Sequence, residues 1–138
     1  MGNPFSLGGI APGHRVLDFG CGAGFDMFVA GNSVCTGGLV CGIDLTEDMV
    51  VRATDNLRQA GLKNFEVRQV DAEDIPFADD FFDVVISNGV INLSPCKQQC
   101  FAEIFRVLKP GGKLHFADVI LEKDLPSHLI GSLEAWSQ

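Results

Sequence analysis

Between Val16 and Gly24, a short apolar run, Val16-Leu17-Asp18-Phe19, passes straight into a turn with glycine at 20, 22 and 24. Few folds accept that sequence. Glycine alone reaches left-handed backbone angles at little cost, and without a side chain it lets a ligand lie against bare main chain. A buried strand that ends in such a turn and then opens a helix is the first unit of a nucleotide-binding α/β fold. The alternative is a tight turn that merely links strand to helix.

The same residues narrow the choice of nucleotide. A dinucleotide fingerprint, Gly-x-Gly-x-x-Gly, needs its third glycine at position 25, which is Phe25. Asp18 stands two residues before the first glycine and no Lys or Arg follows nearby, so a pyrophosphate would meet uncompensated negative charge. A carboxylate there suits a ligand that carries an amino group and a sulfonium. Asp18, Gly20, Gly22 and Gly24 therefore favour S-adenosylmethionine (SAM) over NAD or ATP.

The 138 residues predict one domain with room for a sizeable core. With 46% hydrophobic and 20% charged residues the chain is globular rather than disordered. Its net charge of −8 argues against a nucleic-acid backbone or an anionic membrane as partner. No apolar run is long enough to span a bilayer, and the N-terminus lacks the features of a signal peptide. Five cysteines without framework spacing predict reduced thiols and a cytoplasmic location.

Along the chain, strand and helix signals alternate. Arg15 to Phe19 reads as strand one, followed by a helix to about Ala30. Leu39 to Ile43 is a continuous apolar run, as in a strand covered on both faces, and ends in Asp44, 24 residues beyond Gly20. An acid near that spacing meets the ribose hydroxyls of a nucleotide. Thr46 caps the next helix, with Met49, Ala53, Leu57 and Ala60 as its core stripe and Gly61 as its stop. Phe65 to Val70 reads as strand three and runs into Asp71-Ala72-Glu73-Asp74, either an adenine-reading segment or a solvated acidic loop. Phe82 to Ser87 reads as strand four, and Asn88 at its carboxyl end is placed to line a pocket. Ser94 and Pro95 open a third helix, which carries Cys100, Ile104 and Leu108 inward, takes Lys109 in its last turn and stops at Pro110-Gly111-Gly112. Lys113 to Ile120 reads as strand five, and a weak helix follows toward Trp136.

This alternation predicts an α/β, doubly wound, mostly parallel sheet of five strands in the order 3-2-1-4-5, with a cleft between strands one and four. Asp18, Gly20, Gly22, Asp44, Asp71 and Asn88 converge on that cleft. The glycine turn, Asp44, Asp71 to Asp74 and Arg106-Val107-Leu108-Lys109-Pro110-Gly111-Gly112 resemble the class I SAM-dependent methyltransferases, whose fold is Rossmann-like. Gly22-Ala23-Gly24-Phe25-Asp26 and Ser87-Asn88-Gly89-Val90-Ile91-Asn92-Leu93-Ser94-Pro95 resemble, more narrowly, the arsenite methyltransferases. The resemblance implies methyl transfer from SAM to As(III) held by cysteine thiolates. By motif, Asp18, Gly20, Cys21 (through its main chain), Gly22 and Gly24 shape the methionine end of the SAM site. Asp44, with Leu45 beside it, takes the ribose; Ala72 and Glu73 take the adenine region; Asn88 forms the floor beneath the sulfonium.

Departures from the family pattern set further expectations. Met27 and Gly89 stand where family members carry cysteine, and a third cysteine is expected just beyond Trp136. The antiparallel hairpin usual beside strand five is expected to be missing, leaving a cofactor-binding core without its substrate half. Strand five would then be an open edge, which predicts a homodimer through it or the segment after it. Cys96 and Cys100 share a helix face at i, i+4 and offer a chelating pair, with Cys100 equally a small core residue. No histidine spacing suggests a metal, and no catalytic residue is assigned. Two functions follow: a SAM-dependent methyltransferase of the arsenite kind with a small-molecule acceptor, weak or inactive on arsenic by itself, or a non-catalytic SAM-binding or interaction module. Methylation of another small acceptor is a third.

Overall fold

A computed structural model describes residues 9–71, 74–87, 97–116 and 119–123. Nine elements follow in the order β1 (Arg15–Phe19), α1 (Phe25–Val34), β2 (Leu39–Asp44), α2 (Glu47–Gln59), β3 (Phe65–Gln69), β4 (Phe82–Ser87), α3 (Lys97–Val107), β5 (Leu108–Phe116) and β6 (Val119–Glu122). The strands form one sheet in the order β3-β2-β1-β4-β5-β6. All neighbours are parallel except β5 and β6, which run antiparallel.

The central strands are apolar on both faces because helices cover both. Successive side chains of a strand point to opposite sides, and the core divides accordingly. Val16, Val40, Val84 and Ile86 face α1 and α2, where they pack with Met27, Ala30, Val34, Ala53 and Leu57. Leu17, Cys41 and Val85 face α3, where they pack with Cys100, Phe101, Ile104 and Val107. A one-residue slip in register would send each set to the wrong helix layer, so the pairing of Val16 with Val40 and Val84 is strongly specified.

The parallel sheet and the order of its first five strands agree with the sequence reading. The strand count does not. Residues 119–122 form a sixth strand antiparallel to β5, pairing Phe116 with Val119 and Lys113 with Glu122. The expectations of five strands, of a missing antiparallel neighbour and of an open edge on strand five are therefore corrected. The edge argument for a homodimer through that strand goes with them. Two boundaries and one burial pattern also change. Helix α1 runs through Gly31 to Val34, because that glycine makes room for Leu62, whose methyl lies 2.7 Å from where a Cβ would sit. Lys109 and the Pro110-Gly111-Gly112 stretch belong to β5 rather than to a helix end, carried where the β4–β5 register shifts between Phe82 and Val84. In α2, Ala53 and Leu57 are buried as expected, whereas Met49 is half-buried and Ala60 is exposed.

Candidate functional site

The glycine turn sits at the carboxyl edge of β1 and is locked to β2. Gly20 and Cys21 both donate their N–H to the Ile43 carbonyl, each at 2.9 Å, and Gly24 donates to the Cys21 carbonyl at 3.0 Å. Gly20, Gly22 and Gly24 all hold positive φ, at 83°, 52° and 95°, so each glycine is required by the backbone itself. Gly42, which pairs with Asp18 across β1 and β2, is required for another reason: a Cβ there would lie 2.3 Å from Met27 Sδ. Met27, at the position where the family resemblance leads one to expect cysteine, is fully buried packing beneath the turn.

Asp44 ends β2 and works on the turn directly. Its Oδ2 accepts the Gly22 N–H at 2.9 Å, and its Oδ1 accepts the Thr46 N–H at 3.2 Å. A carboxylate has about four acceptor positions, so hydroxyl donors from a ribose can still be taken. Thr46 itself caps α2 through the Met49 N–H at 3.2 Å, as its sequence position indicates. Leu45, beside Asp44, is 60% exposed.

Asp18 is the anomaly. It is 3% exposed, and burial together with the neighbouring carboxylates of Asp26 and Asp44 pushes its carboxyl well above the usual range. Burial first, and then the negative charge of Asp26 and Asp44, disfavours the ionised form of this carboxyl, and a cation beside it would offset that. Sequence reasoning missed Asp26 as a member of this acid group. The available signal was its place in the first turn of the helix, two residues past Gly24.

Donors complement the acids. Four of the five N–H groups from Gly20 to Gly24 are engaged within the protein, and the Ala23 N–H has no partner among the described residues. Next to it α1 begins without a side-chain cap, leaving its first-turn N–H groups to a ligand or to water. The turn therefore presents amide donors near the buried Asp18 carboxyl, an arrangement matched to a zwitterionic amino-acid group. At the carboxyl end of β4, Ser87 Oγ is also buried without a partner among the described residues.

Ala72, Glu73 and Asn88 lie outside the described residues. Their flanks are placed. The Val70 N–H bonds the Asp44 carbonyl at 2.9 Å, and Ile75 is held by α3: its N–H reaches Glu103 at 2.8 Å and its carbonyl accepts from Arg106 at 2.7 Å. Asp71 and Asp74 are exposed, and Gln99 donates to Asp74 at 3.0 Å.

The described thiols are dispersed. Cys21 and Cys41 are buried, and burial first, then nearby acids (Asp18 and Asp44 for Cys21, Glu66 for Cys41), pushes each up to about 12. Cys100 is buried among α3 and the sheet, and its proposed partner Cys96 lies outside the described residues. Cys21, Cys35 and Cys41 are free thiols, and no group of three metal-ligating side chains occurs among the described residues. No helix among them is long and apolar enough to cross a membrane. A cleft of about 240 Å³, lined by His14, Asp83, Lys109 and Lys113 among others, lies on the opposite, amino edge of the sheet.

A mostly parallel sheet with a glycine turn, two strand-end acids and open amide donors at one edge defines a nucleotide-binding α/β domain of the SAM-dependent kind. The comparisons agree. The family model described as a methyltransferase domain matches residues 10–138, and the chain belongs to that family. It is 42% identical over 125 residues to an arsenite methyltransferase of Halobacterium salinarum, an overlap of 91% of this chain and 32% of that protein. Among solved structures, the arsenic(III) S-adenosylmethionine methyltransferase of Chlamydomonas reinhardtii is similar at 40% identity and a TM-score of 0.72, covering 78% of this chain and 39% of that one. A SAM-dependent methyltransferase of Aquifex aeolicus is similar at 31% identity and a TM-score of 0.76, covering 81% and 61%. The chain spans about a third to two fifths of the length of the curated arsenite methyltransferases it matches.

Proposed function

We propose that this domain binds SAM at the carboxyl edge of its sheet and serves as the methyl-donor side of an arsenite methyltransferase. One observation carries the reading: among the described residues, the turn leaves the Ala23 N–H open while Asp18 lies buried with the charges of Asp26 and Asp44 nearby. Ammonium and carboxylate of one amino-acid group would satisfy both. In this arrangement Asp18 holds the amino group, Ala23 and the start of α1 hold the carboxylate, and Asp44 accepts from the ribose. Ala72, Glu73 and Asn88 retain their assigned roles at the adenine and beneath the sulfonium.

When bound, SAM supplies an electrophilic methyl on a sulfonium, and the protein's part is to hold donor and acceptor in line. The choice of arsenite as acceptor is supported by the names of the relatives, at 42%, 38% and 36% identity. A soft As(III) ion needs thiolates, whereas Cys21 and Cys41 are buried with raised pKa values and no group of three metal-ligating side chains occurs among the described residues. That observation favours, as the second reading, a domain that binds SAM without transferring methyl by itself. Incubation of the chain with methyl-labelled SAM, arsenite and a small thiol separates the two. Labelled methylarsenic species above an Asp18→Asn control support transfer. Retained SAM binding with no labelled product supports the binding module.

A further inference from the structure

We propose that Asn56 of α2 is a positioning residue for the glycine turn, holding the Ala23 carbonyl back so that the Ala23 N–H stays open to the amino-acid end of the ligand. This rests on the SAM reading above. Asn56 Nδ2 donates to the Ala23 carbonyl at 3.0 Å. On the other side of the same peptide, the Gly24 N–H donates to the Cys21 carbonyl at 3.0 Å. Rotation of the Ala23–Gly24 peptide would break both bonds, so the pair fixes its plane.

The support comes from a neighbouring helix rather than from the turn itself. Helix α2 approaches so closely that a Cβ on Gly24 would lie 3.3 Å from both Cα and Cβ of Ala53. Ala53 and Leu57 are buried and seat the helix on the sheet, while Asn56, three residues after Ala53, is itself exposed. Asn56 thus does little for the core. The bond made by its side chain goes to the carbonyl of Ala23, the residue whose own N–H is the open donor.

Other parts of the turn are held independently. Gly20 and Cys21 are bonded to Ile43, and Gly22 is bonded to Asp44, which is fixed in turn by Thr46. Loss of Asn56 should therefore loosen the amino-acid end alone and leave the ribose end intact. A purely structural residue would weaken every ligand alike.

Calorimetric titration of the wild-type chain and of Asn56→Ala with SAM and with 5′-methylthioadenosine, which lacks the amino-acid end, tests this. The expected result is a loss of about tenfold in SAM affinity with methylthioadenosine changed by less than about twofold, the scale of one lost hydrogen bond at an aligned donor. Amide exchange of the ligand-free protein supplies a second readout: Gly24 should exchange faster in the variant, with Gly20 and Cys21 unchanged. Equal weakening of both ligands, or wild-type SAM affinity in the variant, overturns the role of Asn56 alone. Failure of the wild-type chain to bind SAM overturns the cofactor reading and this inference together.

Discussion

Two carboxylates in the same sheet meet opposite fates. Asp83, at the amino edge, is partly buried, and that burial alone would raise its pKa. The Arg15 N–H at 2.9 Å and Lys109 Nζ at 3.1 Å more than offset it and hold the group below the usual carboxylate range. Asp18, near the carboxyl edge, has burial and two like charges against it, and sits well above that range. Both positions are fixed by neighbouring strands, so the difference lies in what the sequence supplies around them. At the amino edge Asp83, the Arg15 N–H and the Lys109 ammonium satisfy one another. At the carboxyl edge Ser87 Oγ and the Ala23 N–H are left open among the described residues, near the buried Asp18. Unsatisfied groups that folding alone would not keep are the mark of a surface built for a ligand.

Mutation can break this contrast from either side. The larger effect on stability belongs to Asp83. Removing it in Asp83→Ala strands the Arg15 N–H and the Lys109 ammonium, and should cost about 1–2 kcal/mol in denaturant unfolding near neutral pH. Its folded pKa is lowered, so the stabilisation is present above the unfolded carboxylate value and is lost as pH falls through the folded one. Variant and wild type should converge in acid. For Asp18 the sign reverses. Its folded pKa is raised, so its contribution is fully present below the unfolded value and is lost as pH rises through the folded one. Asp18→Asn mimics the protonated form, and should be more stable than wild type by about 1 kcal/mol in mildly alkaline buffer. The gain should vanish in acid, where Asp18 of the wild type is itself protonated. A destabilised Asp18→Asn would mean that a partner for Asp18 exists within the protein and that the edge is not open.

The frame of this domain was legible because buried parallel strands leave a strong trace. Arg15–Phe19 and Phe82–Ser87 are the observed strands residue for residue, Asp44 ends β2, and Thr46 caps α2 as its position announces. The sixth strand was not legible. No Gly or Pro interrupts the chain from Lys113 to Leu125, so nothing marks the reversal between Phe116 and Val119 and the apolar run reads as one strand. Gly31 misled in the opposite sense: it looks like a helix stop, yet serves as a notch for Leu62. At the site, the glycines and acids were visible because they follow a strand end at fixed offsets. Asp26 and Asn56 act through space: Asp26 offered only its place in a first helical turn, and no local pattern names Asn56.

The measurement that bears most directly on the open edge is calorimetric titration of the wild-type chain and of Asp18→Asn with SAM at about pH 6 and about pH 8. A cationic ligand beside Asp18 must displace its proton, so wild-type affinity should rise with pH, with proton release measurable across buffers, and should reach the order of micromolar. Asp18→Asn should bind about 100-fold more weakly, the scale of losing one partner of a buried charge pair, and its affinity should no longer follow pH. Binding that is absent at millimolar SAM, or equal in the two proteins at both pH values, would contradict the assignment of this edge as the cofactor site.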